Sequence, residues 1–207
     1  MKKRIFSLQA VIALGIALAF LVPGAAMAAQ QKTLSIYNGQ PQAPTRDGGW
    51  VEQASGFYYP STGIGYMHAV DENIVWAAGY DGSGGAQPYQ DFTMTVNGGD
   101  EWTSGIVDNA EGLDFAMIVG VDENNAWAAM YQTEAGDPQG IYHTNDGGDN
   151  WVHQDTALFS AAGSFPNCVH FWDENEGWCQ GDPVDGYFEM YTTTDAVSYT
   201  HLRAHET

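Results

Sequence analysis

Basic residues are almost missing from this chain. Six Lys+Arg stand against 26 Asp+Glu in 207 residues, a formal net charge of −20 at pH 7. Three of the six lie in the first four residues, and only Lys32 and Arg46 follow before Arg203. A surface so short of cations repels phosphate backbones, which excludes nucleic acid as a partner. Anionic membrane surfaces are disfavoured for the same reason. Long apolar runs are missing after Val22. A spanning helix needs about 20 apolar residues, so no membrane span is expected in the mature chain. Cysteine is reduced to Cys168 and Cys179, and no further Cys or His has metal-ligand spacing to them, which excludes a zinc site. No convincing amphipathic helix follows the N-terminal segment. What is plentiful is glycine, with 25 residues, and aromatics at 13%. That composition describes an ordered protein rather than a disordered acidic tail.

The two ends differ from the rest. Lys2, Lys3 and Arg4 precede the apolar run Val11 to Val22, Pro23 and Gly24 break it, and Ala26-Met27-Ala28 offers small residues at a cleavage site. This is the pattern of a secretory signal peptide over 1–28. The mature chain is therefore expected to be exported, to a bacterial periplasm or the extracellular medium. Residues 29–46 read as a linker or strand. At the other end, "VSYTHLRAHET" from Val197 to Thr207 resembles a translated tagmentation sequencing adapter. Residues 197–207 are accordingly expected to be a non-native tail, with the natural sequence continuing past Asp195.

Between these ends the chain repeats itself. "VDENIVWAAGY" begins at Val70, "VDENNAWAAMY" at Val121 and "WDENEGWCQGD" at Trp172, so Trp76, Trp127 and Trp178 fall in register 51 residues apart. A second marker follows each: "TVNGGDEW" from Thr95, "TNDGGDNW" from Thr144 and "TTDA" from Thr193. A degenerate copy, "TRDGGW", runs from Thr45 to Trp50. A period near 50 with strand-like segments predicts the four-stranded blades of a β-propeller. "AMIVGV", from Ala116 to Val121, is apolar on both alternations and predicts a strand buried on both faces. "AWAAMY", "IYHT" and "WVHQ" supply the next three strands, with turns rich in Gly, Asp and Asn between them. The predicted fold is all-β: about three four-stranded antiparallel blades over 47–196, part of a larger ring.

If Asp and Glu of each "DEN" are the two turn residues, the hairpin register pairs Tyr66 with Ala77, Met117 with Ala128 and Cys168 with Cys179. In an exported protein two directly opposed cysteines can form a disulfide. The alternative is a pair of small buried thiols, and a slip of one residue would separate them.

Thr144, Asp146, Gly148 and Trp151 fit the pattern S/T-x-D-x-G-x-x-W, and Thr95, Asn97, Gly99 and Trp102 fit it with Asn for Asp. Thr193 and Asp195 begin a third copy. The pattern resembles the Asp-box of sialidase-type (BNR) repeats. The wider "FWDENEGWCQGD…YTTTD" is similar to the blades of the photosystem II assembly and stability factor family and related bacterial propellers. The resemblance implies a propeller and a non-catalytic box. The residues say the same: a short Asp or Asn side chain can bond backbone N–H groups further along the turn, Gly supplies a left-handed position, and Trp packs beneath. A loop that did ligand chemistry would be expected once, not at every repeat. The box residues are therefore expected to be structural, with calcium on their carboxylates as the lesser alternative. Neither acidic loop at Asp81 or Asp108 has EF-hand spacing.

Two functions are open. The first is an exported, non-enzymatic propeller that binds a protein or glycan partner, with no catalytic, cofactor or metal residues. The second is a fragment of a sialidase-like or other Asp-box glycoside hydrolase. Sialidase-type sites, as the resemblance implies, need several arginines to grip a carboxylate, and only Arg46 is available. A carboxylate pair could serve another glycosidase, but Asp114, Asp137, Asp155 and Asp185 give no reason to single one out.

Overall fold

The computed structural model of the chain describes residues 52–205 except 86 and 135. The predicted signal peptide, the linker and the box at Thr45–Trp50 lie outside the described residues. Twelve strands follow: β1 (Thr62–Ala69), β2 (Val75–Asp81), β3 (Asp91–Thr95), β4 (Thr103–Ile106), β5 (Leu113–Gly120), β6 (Ala126–Gln132), β7 (Gly140–Thr144), β8 (Val152–His153), β9 (Pro166–Phe171), β10 (Gly177–Val184), β11 (Tyr187–Thr193) and β12 (Tyr199–His205). They form three four-stranded antiparallel sheets, each a meander of consecutive strands. No helix occurs among the described residues, so none of them is long and apolar enough to cross a membrane. The architecture is all-β, a row of propeller-type blades.

The blades pack face to face through two cores. Trp76, Ala78, Phe92 and Met94 of the first blade meet Ile118, Ala126, Ala128, Met130 and Tyr142 of the second, with Trp151 beside them. Val119, Trp127, Ala129 and Ile141 leave the opposite face of the second blade and meet Val169, Phe171, Cys179, Tyr191 and Tyr199 of the third. Side chains alternate along a strand, so β6 feeds both cores and is apolar without alternation. Trp76 and Trp127 are fully buried. Each withdraws roughly 150–250 Å² from water, or roughly 4–6 kcal/mol of transfer free energy. Trp178, at the same repeat position, is only partly buried.

The hairpin register differs from the expected one by a residue in all three blades. Tyr66 pairs with Ala78, Met117 with Ala129 and Cys168 with Gln180. The cause is loop length. Val70 N–H bonds Ile74 O, Val121 N–H bonds Asn125 O and Trp172 N–H bonds Glu176 O, at 2.9–3.0 Å, so Asp, Glu and Asn all belong to the loop. Cys179 now faces Val169, and the two cysteines leave opposite faces of the third blade. Both thiols are free, so the expected disulfide gives way to the alternative of separate thiols. Cys179 is buried in the second core, and burial pushes its thiol well up.

Residues 199–205, within the expected tail, form β12 and pair along β11 from Thr193 to Tyr187. Tyr199 is buried in the second core, where it is the counterpart of Trp151 in the first.

Candidate functional site

Each box closes its own turn. Thr144 Oγ1 donates to Asp146 Oδ1 at 2.9 Å and accepts Gly148 N–H at 2.9 Å. Asp146 Oδ1 also accepts Asn150 N–H at 2.9 Å, and Oδ2 accepts Asn150 Nδ2 at 2.6 Å. One blade earlier, Thr95 donates to Asn97 at 2.9 Å and accepts Gly99 N–H at 3.0 Å, while Asn97 accepts Glu101 N–H at 3.0 Å. In the third blade Thr193 donates to Asp195, whose Oδ1 accepts Val197 and Ser198 N–H groups at 3.0 and 2.7 Å. Those backbone donors pull the Asp195 carboxyl down to about 2. Burial pushes Asp146 up, but the bonds from Asn150 and Thr144 outweigh it and leave the carboxyl below its usual range.

The box and the "DEN" turn, two separate markers in the sequence, form a single unit. Gly98 N–H bonds Asn73 O, Gly147 N–H bonds Asn124 O and Ala196 N–H bonds Asn175 O, at 2.9–3.0 Å. The donor is left-handed every time, with φ 71° at Gly98, 74° at Gly147 and 54° at Ala196. Ala196 therefore stands where the repeat favours glycine. The Asp of each "DEN" accepts two backbone N–H groups: Asp71 from Asn73 and Ile74, Asp122 from Asn124 and Asn125, Asp173 from Asn175 and Glu176. Both turns thus sit at the same end of each blade.

The box tryptophans do unlike things. Trp151 is buried against Trp76 and Phe92, with ring centroids at 6.4 and 5.4 Å. Trp102 is half-buried and its Nε1 donates to Gln53 at 3.3 Å.

The segments entering the blades show a device that the sequence did not reveal. Thr93, Tyr142 and Tyr191 occupy equivalent places on the third strands. Thr93 Oγ1 donates to Ser55 O at 2.6 Å, and Tyr142 Oη to Asn109 O at 2.8 Å. Tyr191 instead packs its ring on Phe159, with centroids 4.9 Å apart, and donates its hydroxyl to Glu189. Each segment carries a left-handed residue there: Gly56 at 77°, Asn109 at 56° and Phe159 at 45°. One hydroxyl thus pins the incoming segment of the first and second blades, and a ring contact holds that of the third.

The four carboxylates considered for glycosidase chemistry fall in different elements. Asp114, on β5, accepts Tyr89 N–H at 2.7 Å. Asp137, in the β6–β7 loop, accepts Glu111 N–H at 2.7 Å. Asp155 lies 3.3 Å from His153 Nδ1 and is exposed. Asp185 is left-handed in the β10–β11 turn, with φ 54°. A carboxylate the sequence did not single out, Asp91, is 8% exposed and accepts Tyr89 Oη at 3.0 Å. Burial raises both Asp91 and Asp114 above the usual range.

No protein-family model and no curated protein matches this chain. Solved structures are similar to it. One is described as YCF48 bound to D1 peptide and another as YCF48 from Cyanidioschyzon merolae. Each is 17% identical over 69% of this chain, with TM-scores of 0.47 and 0.46. The alignments cover 40% and 41% of those chains, so this chain spans about two fifths of their length. Such a likeness assigns neither activity nor partner, and the fold rests on the three sheets themselves.

Glu189, on β11, is a further buried carboxylate, 6% exposed. It accepts Tyr191 Oη at 2.7 Å and the Ser164 hydroxyl. Among the described residues no group of three or more His, Cys, Asp or Glu is placed to hold a metal ion.

Proposed function

We propose that this chain is part of an exported, non-enzymatic β-propeller that serves as a binding or assembly scaffold for a protein or glycan partner. The observation that carries the reading is the use to which the repeated carboxylates are put. Asp71, Asp122, Asp146, Asp173 and Asp195 each accept backbone N–H groups of their own turn. Groups committed to closing turns hold a surface in shape, and they recur because every blade needs the same closure. Export rests on the signal-peptide pattern of residues 1–28.

The hydrolase reading has one observation in its favour, the raised carboxyls of Asp91 and Asp114, since a general acid needs such a shift. Against it, Asp91 is 8% exposed and bonded to Tyr89, which leaves little of it for a substrate to reach. The test is hydrolysis of a panel of aryl glycosides, sialosides included, by the full chain. No turnover above the uncatalysed rate is expected. Turnover abolished by Asp91→Asn or Asp114→Asn would overturn the scaffold reading.

A further inference from the structure

The blade interfaces are built on one repeat but are not alike. Between the first and second blades, Trp76 lies over Gly120, where a Cβ would meet its Cδ1 at 2.3 Å. That approach brings Trp76 Nε1 to Asp122 O at 2.9 Å, so the indole ties its blade to the neighbouring "DEN" turn. Between the second and third blades the residue equivalent to Gly120 is Phe171. Its ring stacks on Trp127, with centroids 3.6 Å apart and planes 6° from parallel. Trp127 Nε1 is fully buried and has no hydrogen-bond partner. The tie is lost, and an open cleft of about 340 Å³ lies between the two turns. Val121, Asp122, Trp172, Asp173, Glu174 and Asn175 line it. Trp172 replaces the valine found at Val70 and Val121, is 63% exposed, and packs edge to face on His170 at 5.2 Å.

We infer that this cleft binds a lysine or arginine side chain presented by an extended basic segment of a partner protein. An indole face attracts a cation through its quadrupole. Asp173 Oδ1 is engaged by its own turn, while Glu174 is exposed beside it. The net charge of −20 draws a basic segment towards the surface, and the cleft gives one of its side chains a seat. A bare valine at the other two turns offers no such face, so the site is expected once among the described blades. The inference rests on the scaffold reading and names its partner chemistry.

The experiment uses the full chain and the acetylated, amidated peptide Gly-Gly-Arg-Gly-Gly-Arg-Gly-Gly-Cys, labelled on its cysteine with an uncharged fluorophore, with its citrulline counterpart as the neutral control. Anisotropy is measured in about 150 mM salt, where the Debye length is about 8 Å and distant charges are screened. Binding of the arginine peptide is expected, with at least fivefold weakening by Trp172→Ala and by Glu174→Gln and little change by Glu134→Gln, which removes the same charge from another loop. Unchanged melting temperatures verify that the variants fold. Equal weakening by Glu174→Gln and Glu134→Gln with no effect of Trp172→Ala would reduce the site to general charge attraction and overturn the inference. Absence of arginine-peptide binding would overturn it too. The scaffold reading would survive either result, since only glycoside turnover opposes it.

Discussion

Thr144 carries a blade end on one oxygen. It is 1% exposed, donates to Asp146 and accepts the buried Gly148 N–H. Thr144→Val keeps the shape and strands that N–H, which is expected to destabilise the fold by about 1–3 kcal/mol. Urea denaturation measures it, and a loss under about 0.5 kcal/mol would show that the box does not hold the turn. His143 offers a second test. Its ring stacks on Trp127 at 4.5 Å, its Nε2 is buried without a partner, and burial lowers its pKa to about 4. A histidine held neutral stabilises fully above its unfolded pKa, about 6.5, and loses that contribution as pH falls towards 4. Asp91 and Asp114 act with the opposite sign, because their raised values favour the fold as acid is added. They are common to both proteins in a comparison with His143→Phe, which is expected to flatten the fall in melting temperature between pH 6.5 and 4. Parallel curves would refute the role of His143. The box residues were legible because the motif fixes donor and acceptor types at set spacing. Phe159 was not, since nothing in "TALFS" announces a phenylalanine at φ 45°.

Strands and turns were legible at the scale of elements, and register was not. Alternation and glycine positions locate β5 to β8 to within a few residues. Whether a "DEN" loop holds two or three residues depends on an aspartate accepting two N–H groups, which spacing alone does not reveal. That one-residue difference separates Cys168 from Cys179. Which blade faces meet was likewise hidden, as was the contrast between Gly120 and Phe171 beneath equivalent tryptophans. Gly120→Ala places a methyl 2.3 Å from Trp76 Cδ1 and 2.5 Å from Nε1. The indole must then leave the Asp122 carbonyl, and a loss of about 1–3 kcal/mol is expected. Tryptophan fluorescence and urea denaturation follow both effects together. A variant as stable as the parent would mean that the first interface tolerates the looser arrangement of the second.

Charge belongs to the whole molecule. With 26 acidic residues against six basic ones, repulsion opposes compaction and salt relieves it. The melting temperature at neutral pH is expected to rise as sodium chloride increases from about 0.01 M to 1 M, where the Debye length falls from about 30 Å to 3 Å. A flat response would mean that the carboxylates already lie too far apart to interact. The fold class was legible here because the period sets the blade, while the partner was not, because the cleft depends on one residue departing from its repeat. The bonds from Gly98, Gly147 and Ala196 to Asn73, Asn124 and Asn175 have a further consequence. They lock the backbone of each "DEN" loop and leave the side chains of Glu72, Glu123 and Glu174 exposed to solvent. These positions can be rewritten without touching the frame: a row of interchangeable sockets on a fixed rail, where new recognition can be installed one blade at a time.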